Sequence, residues 1–455
     1  MNFPGEIPVE DIVKPGSEYE ADKLALYNAL YVGGEEFRKH LDVMLPMRGL
    51  EKASGGQGTA DYASRKARAQ YTNYAGGIED WLTAAVFRNN PGFEVKGGDK
   101  GYWKDLNENA DGFGTPFYSL CRAALNVGMT NLRPYFKVSF PSADSKDAVV
   151  SVVDAIAVDD WQYSEKGEFM WGRTHTSANY RKDDEIKASD LVRHCWTYYA
   201  PDKIAIYEAD EAPIAEGLKK SKKKAPGINL DPKKMAKLVS LDGHDLGCSP
   251  LFDIRFTRSQ WVMDRIFETL QALFRREASI TYALDMQAFA LPVITLAGGN
   301  VPSIAGSEVM ALKLQPGESF GFAAPPSQIF EPLFKDADRL KENLRDVIQA
   351  MPVNASAIPQ AGRLSGSAVN AMRDPEKTLF DSFAQPVKEA AKRMLEKIAE
   401  FRRENVEIEL TGFEQGDGVV PSLDDLPLGE NNGEGLQQSG AGSESAGKEQ
   451  SGKAS

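Results

Sequence analysis

From Pro250 onward the chain alternates long helical runs with short, turn-rich interruptions, and that order leaves few ways to fold. Phe256, Ile266, Phe267, Leu270, Leu273, Phe274, Ile280 and Leu284 make one apolar stripe over Arg255–Asp285, at the period of an amphipathic helix. Phe289–Phe322 then breaks into two short β-like segments, Val293–Leu296 and Val309–Leu314, with Gly298-Gly299 and Pro316-Gly317 as turns. Leu333, Ala337, Leu340, Leu344, Val347, Ile348 and Met351 predict a second long helix from near Ser327. Pro332 fits its first turn, where a missing N–H costs little, and Pro352 stops it. Asn354–Arg373 reads as a loop of glycine, serine and proline. A third helix, Glu376–Arg403, carries Phe380, Phe383, Val387, Met394, Leu395, Ile398 and Phe401, and a short strand, Val406–Leu410, follows. Two long helices with narrow stripes, joined by a compact β piece, bury those stripes poorly alone. Neighbours stacked around a ring would cover both sides. The competing reading is a helical hairpin packed on its own domain.

The first 250 residues have a different character. Glu20–Leu50 shows helical periodicity around Leu24, Leu26, Leu30 and Phe37, ending near Pro46, and Ser54–Gly58 reads as a glycine-rich joint. Asp61–Phe87 predicts one helix with Tyr62, Ala69, Tyr71, Trp81, Leu82 and Val86 as core contacts. Its Arg65, Lys66 and Arg68 read as a solvated or salt-bridged face. Phe113–Val127 predicts a short helix. Tyr135–Phe140, Ala148–Val158, Glu168–Thr174 and His194–Tyr207 alternate or are β-branched and predict strands. The fold class expected is therefore α+β.

Composition narrows the function classes. A length of 455 residues suits two or three packed modules. No run approaches the roughly 20 apolar residues of a membrane helix, and Met1–Glu10 lacks the features of a signal peptide. Cys121, Cys195 and Cys248 are too widely spaced for a metal-ligand pair, and their odd number argues against a disulfide framework. A net charge of −13 argues against a protein that grips nucleic acid tightly, yet suits a wall past which DNA slides. The lysine-rich stretch Lys219–Lys234 is the most basic segment, read as a surface loop, with phosphate contact as the alternative. Asn431–Ser455, rich in Gly, Ser, Glu and Gln, is expected to be disordered.

No catalytic constellation stands out. His40, His175, His194 and His244 include no i,i+4 pair on a predicted helix, and neither a phosphate loop nor a nucleophile elbow is present. Gly243-His244-Asp245-Leu246-Gly247 is the most suggestive polar cluster, but no nucleophile stands beside it, so it reads as a turn. Asp159-Asp160, Asp183-Asp184 and Asp424-Asp425 read as solvated turns. The expectation is a protein that is not an enzyme, with no catalytic residue, metal or cofactor.

The order of elements resembles the tailed-bacteriophage portal family, the head-to-tail connectors. Two sequence runs are similar as well. One is Tyr62-x-x-Arg65-x-x-Arg68-Ala69-x-Tyr71-x-Asn73, leading to Trp81-Leu82-x-x-x-Val86-Phe87-Arg88-Asn89-Asn90-Pro91; the other is Arg363-Leu364-Ser365-Gly366-Ser367-Ala368. The resemblance spans roughly residues 20–410. It implies a portal-like fold: a wing over 1–250, stem helices over 251–288 and 327–353, and a β clip over 289–326. A tunnel loop would occupy 354–375, a short helical crown or wing piece 376–413, and a disordered acidic tail 414–455. It further implies DNA-facing Asn354, Ser356, Gln360, Arg363, Ser365, Ser367, Asn370 and Arg373, and clip-interface Val293, Ile294, Ile304, Leu312 and Lys313. The implied partners are a homo-oligomeric ring of about twelve copies, as is usual in that family, double-stranded DNA in its channel, the large terminase, a head–tail adaptor, and the major capsid and scaffolding proteins. No membrane is implied. The implied location is the portal vertex of the virion, with assembly in the host cytoplasm. The family's crown is often larger than 376–413 allows. A head–tail adaptor or minor structural protein is the alternative within this class. A DNA-packaging nuclease is the alternative outside it, and would need clustered acidic metal ligands among strands.

Overall fold

The computed structural model of the protein describes residues 1–12, 16, 20–140, 145–179, 192–210, 234–288, 291–295, 319–323, 330–349, 366–414 and 426–428. The chain opens with β1 (Glu6–Pro8) and α1 (Val9–Ile12), and the first long helical periodicity follows. It does not give one helix. Gly33 and Gly34 have φ of 72° and 57°, a conformation natural to glycine that interrupts the ladder. The segment therefore becomes α2 (Ala21–Val32), α3 (Gly34–Arg38), α4 (Leu41–Met44) and α5 (Gly49–Ala53). The glycine-rich joint is helical too. It opens α6 (Gly55–Arg68), and a Cβ on Gly58 would lie 1.8 Å from the Glu51 carbonyl oxygen. Glycine serves there for the close approach of α5 and α6.

The helix expected over Asp61–Phe87 also divides, into α6 and α7 (Tyr74–Val86). Asn73 caps α7 by accepting from Gly76 N at 2.9 Å, while its own amide donates to the Tyr31 carbonyl at 2.8 Å. A good N-cap starts a new helix where the old one could have continued. Two of the basic residues of α6 are salt-bridged, and Arg68 donates to Ser64 Oγ at 2.6 Å. Arg65, only 8% exposed, grips Glu51 at 2.7 Å and the Pro46 carbonyl at 2.9 Å, and Lys66 reaches Asp42 at 2.7 Å.

Next come β2 (Gly92–Lys96), α8 (Lys100–Glu108) and α9 (Phe117–Asn131). The strands β3 (Tyr135–Ser139), β4 (Val149–Val153), β5 (Val158–Tyr163), β6 (Phe169–Asn179), β7 (Val192–Tyr199), β8 (Lys203–Asp210), β9 (Met235–Gly243) and β10 (Leu251–Asp253) follow. The run expected as one strand over His194–Tyr207 is a hairpin, β7 turning into β8 where Ala200 N donates to the Lys203 carbonyl at 3.0 Å. One sheet runs β1-β9-β8-β7-β6-β5, antiparallel throughout, and a second runs β10-β3-β4. The first covers a small core of Val9, Ile12, Trp196, Ala205, Tyr207, Ala209 and Ala236.

The helical run expected from Arg255 begins at Val262, as α10 (Val262–Ala288), because Leu251–Asp253 is drawn into the sheet with β3. Strands β11 (Leu291–Thr295) and β12 (Ser319–Ala323) pair antiparallel, and α11 (Phe330–Gln349) follows. The last long helix, α12 (Gly366–Arg402), buries Leu379, Phe380, Phe383, Val387, Met394, Leu395 and Ile398 in the same core as α2, α7, α9 and α10. Its successor β13 (Glu407–Thr411) pairs with β2. Arg402 closes this end. Its guanidinium bonds Glu404 at 2.8 Å and stacks 3.7 Å from the Tyr102 ring centre, and Trp103 Nε1 donates to Glu404 at 2.8 Å. The protein is thus a mixed helix-and-sheet, α+β, fold.

Candidate functional site

The most extended feature is the pair α10–α11 with the β11–β12 hairpin between. The first half of α10 is fixed to the helical body. Trp261 Nε1 donates to the Thr130 carbonyl at 2.9 Å, and Tyr27 OH donates to Asp264 at 2.8 Å. Gln271 and Arg275 donate to the carbonyls of Val43 and Met44, at 3.2 and 2.9 Å. Those carbonyls end α4 and have no partner within it, so α10 both caps α4 and is held by it. Two residues on, Tyr74 OH donates to Glu277 at 2.9 Å, and further along the Arg68 guanidinium of α6 lies 5.5 Å over the Tyr282 ring. Burial pushes the Glu277 carboxyl up.

Toward the hairpin, α10 relies on α11. Ala278 and Ile280 pack with Ala337 and Leu340 in the continuous core, and Arg276 pairs with Asp336 at 2.5 Å. The outer surface of this end keeps Tyr282, Leu284 and Phe334 exposed.

The clip residues expected from the sequence divide. Val293 and Ile294 lie in β11, opposite Gly321 and Phe320, whereas Ile304, Leu312 and Lys313 lie outside the described residues. Of the residues expected in a tunnel loop, Asn354, Ser356, Gln360, Arg363 and Ser365 lie outside the described residues. Ser367, Asn370 and Arg373 do not lie in a loop, because the backbone is helical from Gly366 onward. Ala368, Ala371 and Met372 are strong helix formers, and Pro375 removes one N–H without ending the helix. The lysine-rich stretch, apart from Lys234, and the tail from residue 429 lie outside the described residues, whereas Leu426 and Leu428, expected in the disordered tail, are buried in the main core because their side chains are large and apolar.

The polar cluster at residues 243–247 is locked by backbone. His244 Nε2 donates to the Ala200 carbonyl at 3.0 Å, and Nδ1 accepts from Leu246 N at 3.4 Å. With both ring nitrogens engaged, this imidazole holds a turn. His175 and His194 stack 5.3 Å apart beside Trp196, with Nε2 and Nδ1 3.0 Å apart. Burial first, and the neighbouring His194 and Arg173 next, push His175 down to about 4. Asp159 of the first acidic pair binds Arg173 at 2.8 Å in the protein interior. Among the described residues no group of three His, Cys, Asp or Glu is placed to hold a metal ion, and no helix is long and apolar enough to cross a membrane.

Sequence reasoning passed over one buried acid. Glu79 is fully buried on α7, 2.5 Å from Thr130 Oγ1, and burial pushes its carboxyl up to about 8. The adjacent acids Glu79 and Asp80 in the otherwise apolar run Gly76–Val86 were its only signal. The helix expected over Phe113–Val127 is α9, which begins at Phe117 because Gly112, Gly114 and Pro116 hold the chain before it in a loop that leaves Phe113 exposed. No protein-family model matches the chain, and no curated protein sequence matches it.

Proposed function

We propose that this chain is the subunit of a viral portal ring, the channel at one capsid vertex through which double-stranded DNA is packaged and ejected. The observation that carries the reading is the excursion itself. A 27-residue helix leaves the body, a strand pair follows, a 20-residue helix returns alongside it, and a 37-residue helix re-enters the body core. The exposed Tyr282, Leu284 and Phe334 on this projection favour contacts with neighbouring subunits. On this reading 1–250 and 376–413 form the wing and a small crown, α10 and α11 the stem, and 289–326 the clip. The clip would dock the large terminase and later a head–tail adaptor, and the capsid and scaffolding proteins would surround the wing. A net charge of −13 suits a channel that lets DNA pass without gripping it. The subunits would assemble in the host cytoplasm and end in the virion.

The test is native mass spectrometry and negative-stain imaging of the purified full chain. A particle of about twelve times 49.9 kDa with a central channel is expected. A monomer or dimer across ordinary salt would reject the reading.

A further inference from the structure

Thr130 ties two elements to α9 through different atoms. Its hydroxyl lies 2.5 Å from Glu79 of α7, and its carbonyl accepts from Trp261 Nε1 at 2.9 Å, one residue before α10 begins. That carbonyl belongs to the last turn of α9, where no helical N–H reaches it. Trp261 is buried and meets Tyr27 edge-on. The indole therefore cannot trade this partner for water without leaving its packing.

Glu79 is the vulnerable member of this junction. It is fully buried, and its Oε1 has no hydrogen-bond partner among the described residues. The charged group that acts on it is Asp80, a like charge. Tyr31 of α2 and Tyr71, between α6 and α7, feel Glu79 in turn; burial first holds both phenols up, so neither ionises where a carboxyl does. α9 contributes Thr130 and Asn126. The acids of α10 are engaged elsewhere, Asp264 with Tyr27 and Lys23, and Glu277 with Tyr74. α12 meets α7 through Phe380 against Trp81. An ionised Glu79 would meet no cation. The Thr130 hydroxyl supplies one donor, and burial outweighs it. A buried charge left so poorly partnered draws in water or displaces what surrounds it.

A polar seam shows where the water enters. Asp80 is exposed and accepts from Tyr31 OH at 2.8 Å, Asn126 Nδ2 donates to Tyr31 OH at 3.0 Å, and Thr130 Oγ1 lies 2.9 Å from the Asn126 carbonyl. These groups run from the surface to Glu79 between α2, α7 and α9. Water that hydrates the carboxylate along this line parts the last turn of α9 from α7.

We infer that Glu79 is a proton-operated latch on the base of α10: protonated, it keeps the last turn of α9 closed on α7, where Thr130 holds Trp261, and ionised, it takes in water, opens that turn and releases Trp261. Burial pushes the carboxyl up to about 8, so the latch is closed in acid and opens as pH rises through that value. The device belongs to the single chain and stands or falls apart from the ring reading. In a ring it would act on every stem.

The test is hydrogen exchange of the full chain, read by mass spectrometry at about pH 6.5 and about pH 9. Wild type and Glu79→Gln are compared at the same pH, so the intrinsic pH effect on exchange cancels. Glutamine keeps the shape and a donor for Thr130 but cannot ionise. Glu79→Met, with neither charge nor donor, is the second comparison. At pH 9, one unit past the carboxyl, peptides covering residues 127–131 and 261–270 should exchange about tenfold faster in the wild type than in either variant. At pH 6.5 wild type and Glu79→Gln should agree, and peptides of α8, Lys100–Glu108, should agree at both values. Equal exchange of wild type and variants over 261–270 at pH 9 would overturn the latch. So would a wild type that exchanges faster throughout the chain at pH 9, because that is general unfolding and not release of α10.

Discussion

The Gln260 side-chain amide donates to the Ser382 carbonyl at 2.6 Å, and Ser382 is the residue four before Pro386. In an unbroken helix that carbonyl would accept the N–H of residue 386, which proline lacks. α12 thus carries a proline inside the core, and a side chain preceding α10 supplies the missing donor. The same Gln260 accepts from Thr257 N at 2.8 Å through its other amide atom.

Gln260→Leu should therefore destabilise the protein by about 1–3 kcal/mol, because it strands a buried carbonyl. Pro386→Ala restores an N–H, so it should recover more stability in the Gln260→Leu background than it adds to the wild type. Urea unfolding of the four chains measures the coupling; strictly additive effects would mean that the amide does not replace the proline's missing donor.

Glu79 gives a pH dependence of stability. The Thr130 hydroxyl lies 2.5 Å from Glu79 and 2.9 Å from the Asn126 carbonyl, and its single proton cannot serve both. A protonated Glu79 resolves this by donating to Thr130, in keeping with a carboxyl raised to about 8 from an ordinary 4.5. The raised value means that the contribution is full below pH 4.5 and is lost as pH climbs toward 8, at about 1.4 kcal/mol per pH unit inside that window. Glu79→Gln should remove that slope and be the more stable chain at pH 8. Equal slopes for the two chains between pH 5 and 8 would refute the assignment. Glu51 acts in the opposite sense. Arg65 holds its carboxyl down to about 2, so its contribution is present above pH 4.5 and lost on acidification toward pH 2.

Two neighbouring glycines should respond oppositely to alanine. A Cβ at Gly58 meets the Glu51 backbone at 1.8 Å, whereas one at Gly56 meets nothing within 4 Å. Gly58→Ala should cost about 3 kcal/mol through overpacking. Gly56→Ala should be neutral or stabilise by up to about 1 kcal/mol through helix propensity. Thermal melts decide. A tolerated Gly58→Ala would return the segment to the flexible joint expected from its composition.

The hairpin offers a test of the proposed clip. Thr295 stands opposite Ser319 in the β11–β12 register, so an Asn-Gly turn can replace residues 296–318 while keeping the strand pair. The shortened chain should assemble like the wild type and lose binding to terminase and adaptor in a pull-down. Retained binding would place that interface elsewhere.

The long helices were legible because their stripes repeat over five or more turns and Pro352 marks a stop. Shorter features were not. Pro201-Asp202 turns the chain inside what reads as one alternating run, so β7 and β8 look like a single strand. β9 shows Lys237, Val239 and Leu241 to solvent, so its sequence lacks the inward apolar alternation that marks a strand. The α6–α7 break depends on a cap at Asn73 whose second partner, Tyr31, is 42 residues away, and no local pattern carries such a contact.

The pairing of β13 with β2 joins Glu407–Thr411 to Gly92–Lys96, and α12 fills the core begun by α2 and α7. During synthesis the N-terminal helices and the whole α10–α11 projection emerge before the helix and strand that complete their body. A prematurely terminated chain would lack the central core helix and leave Phe380, Phe383 and Leu395 without their places. Such chains would fall to proteolysis as unfinished products, so the body cannot close until translation has reached residue 411.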